Sequence, residues 1–338
     1  MAIRSSTRAP TGAARPGKTL VRRLVAGLLL LAGLLTFAYA ATSIYLATNL
    51  VYAQPVPIKA TPAEYGLRYT SVSFPSRGDH IQLRGWFIPG VLPDGKLTTQ
   101  RVIITVHGTR QNRTDPGANV LDFVHRIALS GFAVLAFDIR GQGESEPAPL
   151  SMGYFEYRDV LGAVDFIHNG RLPYPELGRP RIIGGWGLSL GGTMMLYAGA
   201  QEKALAAIVA DSPAADILPV ILREMRKAGV PPVLKPGGLL AAQALYGMDW
   251  YDIRTLKAVT QIPPRPLFLI QGAKDDFVPL SNHDELMAAL RTTPNASVQE
   301  WLVPGAKHAQ GFNKAGNVYV NRVVTFFNVW LGPDTSAG

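Results

Sequence analysis

The stretch "GGWGLSLGG", residues 184–192, sets five glycines around a single serine, Ser189, directly after the short apolar run of residues 181–183. Glycine is the cheapest residue wherever the backbone takes positive φ, so one reading is a flexible turn. The other is a nucleophile elbow, G-x-S-x-G, filled by Gly187, Leu188, Ser189, Leu190 and Gly191. In such an elbow the serine caps a tight strand-to-helix turn, and side chains two positions before and after it would collide. The pattern alone is moderately specific, so its surroundings decide.

The chain has 338 residues, enough for one large α/β domain or two smaller ones. A hydrophobic content of 47% points to a globular or membrane-attached protein rather than a disordered one. The absence of cysteine excludes disulfides, a thiol nucleophile and cysteine-ligated metal sites, and is compatible with export. The net charge of +9 invites a nucleic-acid reading until it is divided along the chain. Six basic residues, Arg4, Arg8, Arg15, Lys18, Arg22 and Arg23, fall within residues 1–23, where there is no acid. The remainder carries 27 basic and 24 acidic residues, an ordinary surface that argues against nucleic acid as a partner.

Residues 24–51 then run 28 positions without a charge. About 20 apolar residues in a helix cross a bilayer core, so this segment is long enough to span. A cleavable signal competes, because "AYA" at 38–40 has the small-x-small look of a processing site. The apolar run continues past Ala40 and ends with Tyr45 and Tyr52 at an interface position, which favours the retained anchor. The positive-inside rule places residues 1–23 in the cytoplasm and the rest of the chain, after a short proline-rich linker at 52–64, on the other side.

From residue 65 the chain alternates strand and helix signals without an internal repeat. "YTSVSFPS" and "IQLRGWFIP" flank a turn at "RGDH". "RVIITVHG" is a continuous β-branched run suited to a strand buried on both faces. Helices are expected at about 119–130, 155–169, 189–201, 281–291 and 318–331, and strands at "FAVLAFD", before Ser189, and at "ALAAIVAD", "PLFLIQG" and "SVQEWLVP". Two opening strands followed by βα alternation imply a mostly parallel sheet with helices on both faces and an antiparallel edge. In such a sheet chemistry gathers beyond the carboxyl ends of the strands. Those ends carry Ser189, then Asp211, Asp275 and Asp276, then His308, the serine–acid–histidine order expected with an elbow.

With "HGT" at 107–109, "DIRGQGES" at 138–145, "GWGLSLGG" at 185–192, "GAKDDFVP" at 272–279 and "GAKH" at 305–308, residues 65–331 resemble the α/β-hydrolase superfamily. The apolar helix and the "TPAEYGL" lead-in make the chain similar to its small membrane-tethered branch. The resemblance implies an α/β-hydrolase fold with a small cap at about 216–262, ahead of a short tail at 332–338, and acyl-transfer chemistry; with no phosphate loop, dinucleotide fingerprint or metal-ligand spacing in the sequence, no cofactor or metal is expected. Ser189 is then the nucleophile and His308 the base that takes and returns its proton. The resemblance sets Asp275 in the acid's slot, with Asp276 and Asp211 as alternatives. The N–H groups of Leu190 and Thr109 are the expected oxyanion donors. His107, Asp138 and Arg140 are expected to shape and brace turns.

Some readings stay open in the sequence. Arg110 and Arg113 suit either an anionic head group or a solvated loop. The apolar stretches of the cap suit either an acyl groove or packing on the body. The favoured function is a membrane-anchored serine ester hydrolase acting on lipid-type acyl esters or thioesters. An amidase or peptidase of the same fold, or a catalytically idle binding protein, are the alternatives.

Overall fold

The structure, a computed structural model, describes residues 17–52, 54–253, 255–292 and 297–334. Arg4, Arg8 and Arg15 of the basic segment and residues 335–338 of the tail lie outside the described residues.

The first element is a single helix, α1 (Lys18–Val51), longer than the uncharged run because it begins among the basic residues. It is long and apolar enough to cross a membrane. Its side chains are exposed up to Thr42. After that Ser43, Ala47 and Val51, spaced four apart and so on one face, are buried.

The body follows as β1 (Thr70–Pro75), β2 (Gln82–Ile88), a small hairpin of β3 (Gly90–Val91) and β4 (Leu97–Thr98), β5 (Arg101–Val106), α2 (Val120–Leu129), β6 (Ala133–Asp138) and α3 (Tyr157–Asn169). It continues with β7 (Ile182–Leu188), α4 (Leu190–Gln201) and β8 (Leu205–Asp211). Between β8 and β9, over the stretch expected to form a cap, come α5 (Ile217–Lys227) and α6 (Lys235–Tyr246), which pack together in a cluster of their own, and α7 (Thr255–Val259), whose Val259 packs on the body. The chain closes with β9 (Leu267–Gly272), α8 (Leu280–Arg291), β10 (Val298–Val303), α9 (Gly311–Ala315) and α10 (Asn317–Leu331).

Eight strands form one sheet in the order β1-β2-β6-β5-β7-β8-β9-β10. β1 and β2 are antiparallel to each other and β2 to β6, while every other pairing is parallel. The protein thus has the α/β-hydrolase fold, entered through the antiparallel edge that two opening strands imply. All six residues of β5 and of β6 are buried, as strands covered on both faces require. One face is packed by α3, α4 and α8 through residues such as Val164, Met195 and Leu286. The other is packed by α2 and α10 through Phe123, Ile127, Phe326 and Phe327.

Two features were not legible. The β3–β4 hairpin is too short to leave a pattern. β7 runs on through Gly184, Gly185 and Gly187, residues of low strand propensity, because neighbours occupy the space their side chains would need. A Cβ on Gly184 would sit 2.8 Å from Ile103 and Phe327, and one on Gly185 would sit 2.6 Å from the Met195 sulfur.

The proline-rich stretch after α1 lies along the body rather than spacing it away. Asn112 Nδ2 donates to the carbonyls of Val56 and Pro57, and Ile58 and Ala60 pack on the second core. The buried end of α1 packs into a third cluster with Ile217, Val220, Ile221 and Met225 of α5 and Leu239 and Ala242 of α6. Gly237 is the contact point of α1 and α6. A side chain there would collide with Ser43 and Tyr39.

Candidate active site

Ser189 links β7 to α4 with φ 55° and ψ −117°, a conformation that costs a non-glycine residue strain and persists only where its surroundings enforce it. Those surroundings explain the remaining glycines of the opening motif. A Cβ on Gly187 would strike the Gly191 carbonyl, and one on Gly191 would strike the carbonyls of Val106 and His107. Gly192 lies against the Asp211 carbonyl, which also accepts the Ser189 N–H at 2.7 Å.

The serine hydroxyl lies 2.8 Å from His308 Nε2, and His308 Nδ1 lies 2.8 Å from Asp275 Oδ2. A carboxylate only accepts, so Nδ1 carries the proton and Nε2 is left to accept from Ser189. The loops after β9 and β10 are tied by the Lys274 N–H donating to the Ala306 carbonyl at 2.8 Å, which draws acid and histidine together. Asp275 is buried and takes four donors. The Phe277 and Val278 N–H groups reach Oδ1 at 2.9 and 2.8 Å, and Gln271 Nε2 and His308 Nδ1 reach Oδ2 at 2.7 and 2.8 Å. Asp276 is exposed and points elsewhere.

Asp211, the third acid weighed, is buried beneath the site without touching the imidazole. It accepts from Tyr319 Oη at 2.7 Å and from Ser212 Oγ at 2.8 Å, and Tyr319 in turn accepts from Trp186 Nε1. Ser212 Oγ also accepts the Ala309 N–H at 3.3 Å, next to His308. Burial pushes the Asp211 carboxyl up to about 6 against these hydrogen bonds.

The Leu190 N–H opens α4, where the first-turn amides have no carbonyl four residues back to bond and the helix dipole favours negative charge. The 107–109 loop approaches from the opposite side. A Cβ built on Gly108 would lie 3.5 Å from Ser189 Cβ, which sets Thr109 at the mouth of the same site. His107 holds this loop, its Nδ1–H donating to the Gly108 carbonyl at 2.7 Å while Nε2 accepts from the Ile139 N–H at 3.2 Å. Burial lowers its pKa, so it stays neutral.

Asp138 and Arg140 brace the neighbouring turn. Asp138 accepts from the N–H groups of Arg113 and Glu144, and Arg140 grips Asp159 and Asp79. The two loop arginines left open by the sequence part ways here. Arg113 is not solvated. It is buried, ion-paired with Asp138 at 3.2 Å and with Glu144, and lies over the Trp86 ring. Arg110 is exposed and donates to the Leu50 carbonyl at the end of α1 at 3.2 Å. His80, His125, His168 and His283 take no part in the site. Among the described residues no group of three or more His, Asp or Glu is arranged to hold a metal.

Beside the site lies a cavity of about 350 Å³ that runs from Thr109, Met152 and Phe277 toward α1 and α5. Sequence reasoning missed several of its parts. The Phe277 ring lies against the His308 ring, tilted by 42° at 4.7 Å between centroids, and Gln271 steadies the acid. The only available signal for Gln271 was a polar residue inside an otherwise apolar strand.

Comparison with known proteins agrees with this architecture. YfhR of Escherichia coli O157:H7, an uncharacterised protein, is 27% identical over 269 residues, covering 78% of this chain and 82% of its own length. YqkD of Bacillus subtilis, also uncharacterised, is 26% identical over 235 residues, 68% of this chain and 72% of its own. Among solved structures, the Pyrococcus furiosus esterase Pf2001 superposes with a TM-score of 0.67 at 24% identity, over 83% of this chain and 100% of that one. The Pyrococcus horikoshii acylaminoacyl peptidase superposes with a TM-score of 0.56 at 18% identity, over 80% of this chain and 44% of that one. At those identities the likeness speaks for the fold. The Peptidase S9 model, that of the prolyl oligopeptidase family, matches residues 121–334, a span that holds the elbow, the acid and the histidine, and the chain belongs to that family of α/β-fold hydrolases.

Proposed function

We propose that the protein is a membrane-anchored serine hydrolase that cleaves acyl esters of lipid type through an acyl-enzyme. One observation carries the chemistry: a strained elbow serine, a histidine and a buried carboxylate are joined by two 2.8 Å hydrogen bonds in a row. His308 takes the Ser189 proton as Oγ attacks the ester carbonyl, and Asp275 steadies the imidazolium that forms. The N–H groups of Leu190 and Thr109 receive the developing oxyanion. His308 then protonates the leaving alcohol, and water, activated by the same imidazole, releases the acid and restores the serine.

The family name favours a second reading, an amidase or peptidase. The cavity supports the ester. Its lining is mostly apolar, with Leu46, Leu50, Met152, Ile221, Met225 and Phe277 offering a surface suited to a hydrocarbon chain, while Asn49, Thr109, Arg110 and Glu224 supply its polar part. For location, α1 serves as a retained single-pass anchor with the N-terminus in the cytoplasm and the catalytic domain outside. The partners are then the bilayer and the acyl substrate.

Full-length wild-type protein should label with a fluorophosphonate probe and hydrolyse p-nitrophenyl esters. Ser189→Ala should abolish labelling and lower turnover by at least about 10⁴-fold while the fold survives, as expected when a triad nucleophile is removed. Labelling at wild-type level in that variant would move the nucleophile elsewhere. Faster cleavage of an acyl-amino-acid anilide than of any ester would favour the peptidase.

A further inference from the structure

The cavity beside the triad, which meets it at Thr109 and at Phe277 against the His308 ring, is walled in part by α1 itself. Leu46, Asn49 and Leu50 of α1 face it alongside Ile221 and Met225 of α5. A helix that served only as a tether would have no reason to bury side chains at the active site, since a flexible link holds a domain at a bilayer equally well.

The level of the bilayer follows from where α1 becomes occupied. From Leu24, the first residue beyond the basic segment, to Thr42 its side chains are exposed, and those 19 residues extend ~29 Å, close to the ~30 Å of a hydrocarbon core. At Tyr39 the cap begins, with the Tyr39 hydroxyl donating to the Val233 carbonyl at 2.9 Å. Thr48 lies 3.0 Å from the Tyr246 hydroxyl near the other end of α6. α6 therefore runs alongside this end of α1, starting at the bilayer surface, and the exposed Val233 just before it and Leu240 on it form an apolar margin suited to the interface. Arg110, bonded to the Leu50 carbonyl, puts a guanidinium at the cavity where a lipid's polar end would emerge.

We propose that α1 is a wall of the substrate site: Leu46 and Leu50, with Ile221, Met225 and Phe277, hold one acyl chain of a lipid drawn laterally from the leaflet beneath the cap, with its ester carbonyl at Ser189. This rests on the ester-hydrolase reading above and adds the source of the substrate and the residues that choose its chain. The cavity falls in the ~300–1,000 Å³ range that accepts ligands of small-molecule size, so it takes a single chain and not a whole diacyl lipid.

The test uses full-length protein in phosphatidylcholine nanodiscs. Leu46→Trp and Leu50→Trp fill the cavity from the helix side, and Leu31→Trp, on the exposed middle of α1, is the control. The ratio of kcat/KM for p-nitrophenyl dodecanoate to that for the acetate should fall by at least about tenfold in the first two, chiefly through KM, and stay constant in the control. A fluorogenic acyl-ester lipid should be cleaved when it shares the protein's nanodisc and escape when it is confined to separate vesicles. An unchanged ratio in Leu46→Trp and Leu50→Trp, in a wild type that hydrolyses esters, would overturn the role of α1. Equal cleavage of shared and separate lipid would overturn lateral supply. A wild type inert to all these esters would instead sink the ester-hydrolase reading and this inference with it.

Discussion

Asp275 and Asp276 differ by one position in the chain and by their whole environment in the fold. The first has its carboxylate surrounded by four donors, the second faces solvent. Replacing Asp275 by Asn puts an amide where only an acceptor holds the histidine in its working tautomer, so kcat should drop on the order of 10³–10⁴-fold. Asp276→Asn should stay within about twofold of wild type, as surface substitutions usually do. Steady-state kinetics on one ester decide this, and equal losses would return the acid to the open choice that the sequence presents. At this scale the sequence was most informative where chemistry forces residue types into fixed spacing. Ser189 and His308 announce themselves because an elbow needs small neighbours and a base needs a loop after a strand. Arg113 was illegible for the opposite reason. Its ion pair with Asp138 joins residues 25 apart, and nothing local distinguishes it from a solvated arginine.

Between elements, the site rests on a polar network that ties three of them together. Trp186 of β7 donates to Tyr319 of α10, which donates to Asp211 at the end of β8. His308 and Asp275 also act on the Asp211 carboxyl, the one lowering and the other raising its pKa, and burial outweighs both. Its value in the fold, about 6, exceeds the ordinary 3.8. A raised acid favours the folded state most when protonated, so its contribution is complete below pH 3.8 and is lost as pH rises through 6. The loss amounts to about 3 kcal/mol at ~1.4 kcal/mol per unit. Asp211→Asn keeps acceptor capacity toward Tyr319 without the charge. Relative to wild type it should therefore gain thermal stability between pH 4 and 7, and a melting-temperature difference flat across that range would refute the buried charge. Burial of β5 could be foreseen from its β-branched run. Gly184 and Gly185 hid most of β7, because a strand chosen for what packs against it shows only absences in its own sequence.

For the whole molecule, the sequence separates an apolar helix from a catalytic domain, and the structure joins them. Residues 24–51 read as an anchor followed by a linker, yet Ser43, Ala47 and Val51 are buried in the cap and the supposed linker is bonded to the body. The division failed because the same apolar side chains satisfy lipid and protein alike, and composition cannot say which. This bears on the choice between anchor and signal. Cleavage after Ala40 would leave Ser43, Ala47 and Val51 in place on the cap but remove the part of α1 from Lys18 to Ala40, exposed at every position. In the orientation proposed above, the six basic residues before Leu24, with no acid among them, hold the N-terminus in the cytoplasm, and the exposed part of the uncharged run, Leu24 to Thr42, crosses. A reporter active only outside the cytoplasm, fused after Gly338, should therefore be active, and the protein should remain in membranes washed with carbonate. An inactive reporter would reverse the orientation. A soluble product starting at Ala41 would make the segment a signal and leave the cavity wall standing without its membrane.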